Sequence, residues 1–179
     1  MELARRNGYK FIVEKEFKGE YLCPIIDNLK AKYIDGFDDY NEVYHCNQLI
    51  HQLNQDSKIK LDYHLMYQED KCLGLALIAT GTIDALEFFD QPLFKTTDKA
   101  IVLNYFHISS QGRGNGTYWL KNIILPYYQD KDYMYLKSSH PHAFSLYQRL
   151  GEVIGEYETV SDNGDFKRKG KLFKIKVSK

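Results

Sequence analysis

A chain of 179 residues, 44 % of them hydrophobic and 27 % charged, has material for one buried core and a length near that of one domain, so a single domain over residues 1–179 is expected. Lys plus Arg and Asp plus Glu both total 24, and this zero formal charge argues against a nucleic-acid binder, whose phosphate contacts need a basic excess. Cys23, Cys46 and Cys72 share no ligand or disulfide spacing, no apolar run approaches the roughly 18 residues of a membrane span, and the start Met1–Gly8 has no apolar stretch behind its two arginines; reduced, mostly buried thiols in a cytoplasmic protein away from membranes are expected.

Phe11–Phe17 is short and apolar-led, and predicts a first strand. From Cys23 to Gln55 the period becomes helical. Ile25, Ile26, Leu29 and Tyr33 mark one helix, Asp35-Gly36 interrupts it, and Val43, Leu49, Ile50 and Leu53 stripe a second that Asp38 or Asp39 caps. Leu61–Gln68 and Cys72–Ala79 read as a strand pair turning at Glu69-Asp70-Lys71. Gly81 to Lys99 holds Pro92 and several acids without a period, and a connection of that length is more often a binding loop than an accident.

The strongest strand signal is Ala100–Ile108, whose near-continuous apolarity predicts cover on both faces. A glycine-rich turn, Ser109–Gly116, feeds a helix with Trp119, Leu120, Ile123 and Ile124, which Pro126 ends or kinks. Tyr133–Lys137 predicts a short strand. Pro141 opens and Gly151 closes a short helix, and Glu152–Val160 pairs with Lys171–Val177 around Ser161–Gly164. Strand, two helices, three strands, helix, strand, helix and strand pair make a mixed α/β sheet protein.

Three alternating glycines in Gln111-Gly112-Arg113-Gly114-Asn115-Gly116 bring backbone amides within reach of a ligand at a helix N-terminus, where negative charge is favoured. This is a seat for a phosphate or pyrophosphate, and Arg113 can add a charge-assisted contact. A dinucleotide fingerprint fails because Thr117 stands where its third glycine belongs, and a P-loop fails because no lysine follows Gly116. A tight turn without a ligand remains open on the turn alone.

A second segment bears on that choice. Ala143 and Tyr147, four residues apart, lie on one face of the short helix that Gly151 closes. The two segments together resemble the GNAT superfamily of acyl-coenzyme A-dependent N-acyltransferases. Its Q/R-x-x-G-x-G/A motif is met at Gln111, Gly114 and Gly116, and its N-x-x-A-x-x-x-Y-x-x-x-G pattern at Ala143, Tyr147 and Gly151, with His140 in the asparagine's place. The motifs span Ala100 to Gly151, and the element order extends the likeness over the chain.

The resemblance implies a mostly antiparallel central sheet of about seven strands, the fourth and fifth splayed apart, with about four helices. It implies acetyl-CoA as donor, its pantetheine along Phe106, His107 and Ile108 and its pyrophosphate on the amides of Gln111, Gly112, Arg113, Gly114, Asn115 and Gly116. His140 would supply one hydrogen bond in place of the asparagine. An amine would attack the thioester directly, and Tyr147 falls where the family often has the general acid for the thiolate. The acceptor class stays open among small amines, amino acids, peptides and aminoglycosides, and pairing of two copies through the sheet or the C-terminal hairpin fits the family.

The resemblance leaves the general base unassigned. Ala100, Val102 and Asn104 occupy the strand positions where relatives place one, and none accepts a proton at neutral pH; Glu69, Glu87, Asp90 and Asp98 are undifferentiated candidates. His107 reads as a strand histidine held by hydrogen bonding. His140 and His142 lack a third ligand at metal spacing, so no metal is expected. The basic run Phe166–Lys171 reads as a solvated hairpin tip. A CoA-binding module without chemistry and an unrelated nucleotide binder remain the competing readings.

Overall fold

Asn7-Gly8 turns the chain almost at once. Both residues adopt positive φ (50° and 80°), as a two-residue hairpin with right-handed strand twist requires. The turn joins β1 (Glu2–Arg6) to β2 (Tyr9–Glu14), with Arg6 opposite Tyr9. The structure, a computed structural model, describes residues 1–34, 41–81, 99–160, 164 and 167–177. The expected first strand thus ends three residues early, at Glu14, and has an unforeseen partner before it.

Helices α1 (Cys23–Ile34) and α2 (Glu42–Gln55) follow, then β3 (Ile59–Gln68), β4 (Lys71–Gly81) and β5 (Ala100–Ile108). The expected caps Asp38 and Asp39 and nearly all of the connection before Lys99 lie outside the described residues; Asn41 holds the N-cap position of α2. After the loop, α3 runs from Gly116 through Tyr127 in three parts, Gly116–Trp119, a wider turn at Leu120–Ile124 and Leu125–Tyr127. The widening has a cause in Pro126, which has no N–H and whose ring would strike the carbonyl four residues back; Leu125 N–H instead reaches Leu120 O. β6 (Tyr133–Ser138), α4 (Pro141–Gln148), β7 (Glu152–Val160) and β8 (Lys167–Lys176) complete the chain. β8 begins four residues before the predicted Lys171, so Lys167 to Lys171 of the basic run are paired strand and not a solvated tip.

The described strands form one sheet in the order β1-β2-β3-β4-β5-β6-β8-β7, eight strands, close to the about seven expected. All neighbours are antiparallel except β5 and β6. Helices cover both faces. Trp119, Leu120, Ile123 and Ile124 of α3 and Tyr147 of α4 pack on one face with Phe11, Ile78, Ile101, Met134 and Phe173. Ile25 of α1 and Cys46, Ile50 and Leu53 of α2 pack on the other with Tyr63, Leu65, Leu75, Leu77 and Tyr135. β4 is therefore buried from Cys72 through Ala79. Cys46 and Cys72 are buried thiols as expected, whereas Cys23 is exposed. Among the described residues no helix is long and apolar enough to cross a membrane.

Candidate active site

The continuous burial predicted for β5 holds through Ile101–Leu103 and returns only at His107, and the reason is the neighbour it loses. β6 pairs with β5 at Ala100, Ile101 and Val102 alone, opposite Tyr133, Met134 and Tyr135, and then departs. Beyond Val102 one edge of β5 remains paired to β4 as far as Ile108, while the other presents unpaired backbone to a gap. A bulge marks the departure. Leu77 faces Tyr105 but Ile78 faces Leu103, so Asn104 is the extra residue, and bulges bend and twist the strand that carries them.

That extra residue also resets which way side chains point, because a one-residue slip exchanges the faces of a strand. Ile101 and Leu103 lie on the α3 face and Val102 on the α2 face; after the bulge Tyr105 lies on the α2 face and Phe106 and Ile108 on the α3 face. The gap opens into a cleft of about 780 Å³, lined on the β5 side by Leu103 to Ile108 and on the β6 side by Leu136 to His140, with Arg113, Ala143 and Tyr147 at its α3–α4 end and Asn28 and Glu42 at its helical other end.

The glycine loop sits where β5 hands over to α3. A Cβ on Gly112 would lie 2.5 Å from Met66 Cε and 2.7 Å from Ile108 Cγ2, so the loop packs on the sheet only with glycine there. Gly114 instead supplies φ +89° and has open space where a side chain would go. The amides divide accordingly. Gly112 N–H donates to Ser109 O at 2.9 Å and Asn115 N–H to Gly112 O at 3.4 Å, so these two of the expected anion contacts are spent inside the turn. Arg113 N–H closes the short 3-10 turn at Ser110–Gly112, whereas the N–H groups of Gly114 and Gly116 have no acceptor among the described residues, and they stand at the start of α3 with the exposed Arg113 side chain beside them. Of the residues predicted to hold a ligand, the cleft gathers Phe106, His107, Ile108, Arg113, His140 and Tyr147; Gln111, Gly112, Gly114, Asn115 and Gly116 are outside its lining, in the loop that carries Arg113.

Pro141 starts α4 and fixes its direction, with Ala143 N–H bonded to His140 O at 3.0 Å. The resulting face carries Ala143 and Tyr147 into the cleft wall. Tyr147 is 5 % exposed, its ring centre lies 5.3 Å from that of Phe173, and burial pushes its phenol above the ordinary range, so its hydroxyl stays protonated. His140 anchors its own backbone through N–H to Ser138 Oγ at 3.2 Å and its ring lines the cleft near Ala143. Among the described residues no group of three or more His, Cys, Asp and Glu could hold a metal ion.

One cleft residue has no signal in the sequence. Glu42, the first residue of α2, accepts a hydrogen bond from the Tyr105 hydroxyl and stands 3.8 Å from His107 Nδ1, at 21 % exposure. Burial raises its carboxyl to about 7, with His140 and Arg168 pulling the other way. His107, 8 % exposed, stacks on Tyr105 with planes 13° apart. Glu69, a base candidate from sequence, is exposed in the β3–β4 turn and outside the cleft lining, and Glu87, Asp90 and Asp98 lie outside the described residues.

No protein-family model matches the sequence, and no curated protein matches it. Solved structures do. A GNAT-family acetyltransferase from Listeria monocytogenes aligns over 98 % of this chain and 99 % of its own with 15 % identity and a TM-score of 0.57. An aminoglycoside N(6')-acetyltransferase from Legionella pneumophila aligns over 93 % and 92 % with 12 % identity and a TM-score of 0.60. RimL, a ribosomal L7/L12 alpha-N-protein acetyltransferase solved in complex with coenzyme A, aligns over 98 % of both chains with 12 % identity and a TM-score of 0.54. The chain has the GNAT fold.

Proposed function

We propose that this protein is an N-acetyltransferase that moves the acetyl group of acetyl-CoA to an amine. The observation that carries the reading is the cleft between β5 and β6, with unoccupied amides at one end and a buried phenol in its wall. Extended pantetheine suits the open edge of β5 along Phe106, His107 and Ile108, because its amides can pair with strand backbone as another strand would. The amides of Gly114 and Gly116 and the Arg113 guanidinium would take the pyrophosphate. Gly112 and Asn115 hold the loop's shape through amides bonded internally, and Gln111 O ties the loop to the sheet by accepting from Tyr9 Oη at 3.3 Å. His140 stands at the cleft wall as a donor toward the pantetheine.

In this reading the acceptor nitrogen forms a bond to the thioester carbon, the carbon–sulfur bond breaks, and Tyr147 gives its proton to the departing thiolate. A donor at the open edge of β5 would steady the negative oxygen that develops meanwhile. Coenzyme A in RimL and an aminoglycoside or protein amine as acceptor in the similar enzymes support the donor and the acceptor class proposed for this chain.

The test is binding first, then turnover. Acetyl-CoA at a hundred times its Kd stabilises the protein by about 2.7 kcal/mol. At roughly 2–4 °C per kcal/mol for a chain of this size, the melting temperature rises by about 5–10 °C. ATP and NAD at equal concentration should give smaller shifts. A larger shift with either would replace acetyl-CoA by another nucleotide, and binding without thiol release on any amine would make the protein a CoA-binding module.

A further inference from the structure

Direct attack by an amine faces an obstacle that the glycine loop and Tyr147 do not address. A primary alkyl amine with the basicity of a lysine side chain is neutral in roughly one molecule in 2,500 at pH 7, so the acceptor arrives as an ammonium and one proton must leave before the nitrogen has a lone pair. None of the β5 residues at the gap is a carboxylate.

α2 delivers one from outside the strand. Glu42 lines the cleft on the sheet face opposite α3, where the bulge at Asn104 turns Tyr105 and His107 toward it. Among the described residues, the groups that face its carboxylate include the Tyr105 hydroxyl and the His107 ring on β5, His140 ahead of α4 and Arg168 on β8. Tyr105 and His107 are stacked with ring centres 6.3 Å apart, so they form a flat aromatic wall beside the carboxylate. A largely buried carboxylate is costly unless a cation or a proton reaches it, and an aromatic wall favours a compact cation over an anion. The open part of the cleft, with Asn28 on α1 completing the rim, leads from Glu42 to the unpaired edge of β5.

We propose that Glu42, Tyr105 and His107 form a subsite for a protonated primary amine, and that Glu42 takes the proton which frees that amine to attack. This rests on the acetyl-transfer reading above. The ammonium passes one N–H proton to the Glu42 carboxylate, and the freed lone pair forms the C–N bond as the C–S bond breaks. The second N–H proton leaves the adduct to solvent and replaces the one Tyr147 gave to the thiolate. Products are the amide, the CoA thiol and one proton, which Glu42 returns to solvent. A carboxyl raised to about 7 is suited to this exchange at neutral pH.

Thiol release from acetyl-CoA with ethylamine, glycinamide and trifluoroethylamine, amines of falling basicity, tests the proposal on the full chain. Glu42→Gln should lose about 10²–10⁴-fold in kcat/KM with ethylamine and less than about tenfold with trifluoroethylamine, which needs no help to be neutral; the acidic limb of the wild-type pH profile should vanish with it. Calorimetry should find acetyl-CoA affinity within about threefold of wild type, because Glu42 is on the acceptor side. Tyr105→Phe, which keeps the carboxylate and removes its donor, should move the acidic limb to higher pH. Equal losses with all three amines, or unchanged rates, overturn the proposal. If none of the amines turns over, the readout is the Glu42 carboxyl itself, followed by carbon-13 NMR with and without ethylammonium chloride: its midpoint should fall by about one unit or more with the cation, and no response overturns the subsite. Failure of the wild type to bind acetyl-CoA would instead sink the donor assignment and leave that titration to judge the subsite alone.

Discussion

Acidification should destabilise this protein through one buried histidine, by an amount the hydrogen bonds fix. His64 on β3 has no exposed surface. Its Nε2 lies 2.9 Å from the Tyr128 hydroxyl, which donates to Asp62 Oδ2 at 2.8 Å, while Lys15 Nζ holds Asp62 Oδ1 at 2.6 Å. The phenol's proton points at the carboxylate, so it accepts from His64 and the imidazole is the neutral Nε2–H tautomer. His64 Nδ1 has no partner among the described residues, and a second proton there would be buried next to Lys15. Burial first and Lys15 second lower the folded pKa to about 3, against 6.5 for an ordinary imidazole. A depressed pKa means the stabilisation is whole above about 6.5 and is lost as the pH falls, because unfolded chains bind the proton and folded ones do not. At about 1.36 kcal/mol per unit, the loss by pH 4.5 is about 2.7 kcal/mol. His64→Gln keeps a donor toward Tyr128 and cannot titrate. Urea unfolding of both proteins between pH 7 and 4.5 should show the wild-type advantage shrinking by about that amount. Parallel curves would refute the neutral, buried assignment. Glu42, with its raised pKa, gains stability on acidification, but it titrates in both proteins and its contribution cancels in the difference.

Two further outcomes concern the site. Tyr147→Phe should lower kcat by about 10²-fold or more in thiol-release assays while acetyl-CoA affinity stays within about threefold, because the ring still packs on Phe173 and only the proton is gone. Gly112→Ala should cost about 1–3 kcal/mol of stability, read as a drop in melting temperature, since the new methyl meets the stiff Ile108 side chain as well as the movable Met66 end. A Gly112→Ala protein that melts with wild type would mean the loop stands off the sheet.

Much of this fold is written locally. Pro141 and Gly151 frame α4, and the apolar run Ala100–Ile108 marks β5. The missed strand β1 had its signal too: Asn7-Gly8 is the strongest short hairpin turn there is, and only the polar Glu2, Arg5 and Arg6 around it kept Glu2–Arg6 from reading as strand. Its edge position explains those residues, because among the described residues one side of β1 has no neighbouring strand to bury them. The glycine loop was legible as a loop, but not the division of labour within it. Which amides are free depends on Ser109 O reaching Gly112, and which glycine packs depends on Met66, forty-six positions earlier in the chain. Glu42 carried no sequence signal at all. It is an acid in the first turn of an amphipathic helix, a common and usually solvated place, and its setting comes from Tyr105 and His107 sixty-odd residues away.

Asn104 explains why such distant partners meet. Were β5 regular, its alternation would send residues 104 and 106 toward α2 and 105 and 107 toward α3, setting Phe106 against Glu42 and His107 in the core beside Trp119. The bulge avoids both clashes in one step and places the reversal two residues past the last β5–β6 pair, at Val102. The strand that must bend away from β6 to open the cleft is therefore the same strand that must turn its polar side chains to one face and its apolar ones to the other. One inserted residue does both, which ties the existence of the cleft to the chemistry of its two walls: phenyl and isobutyl-like surface toward the glycine loop, phenol and imidazole toward the carboxylate.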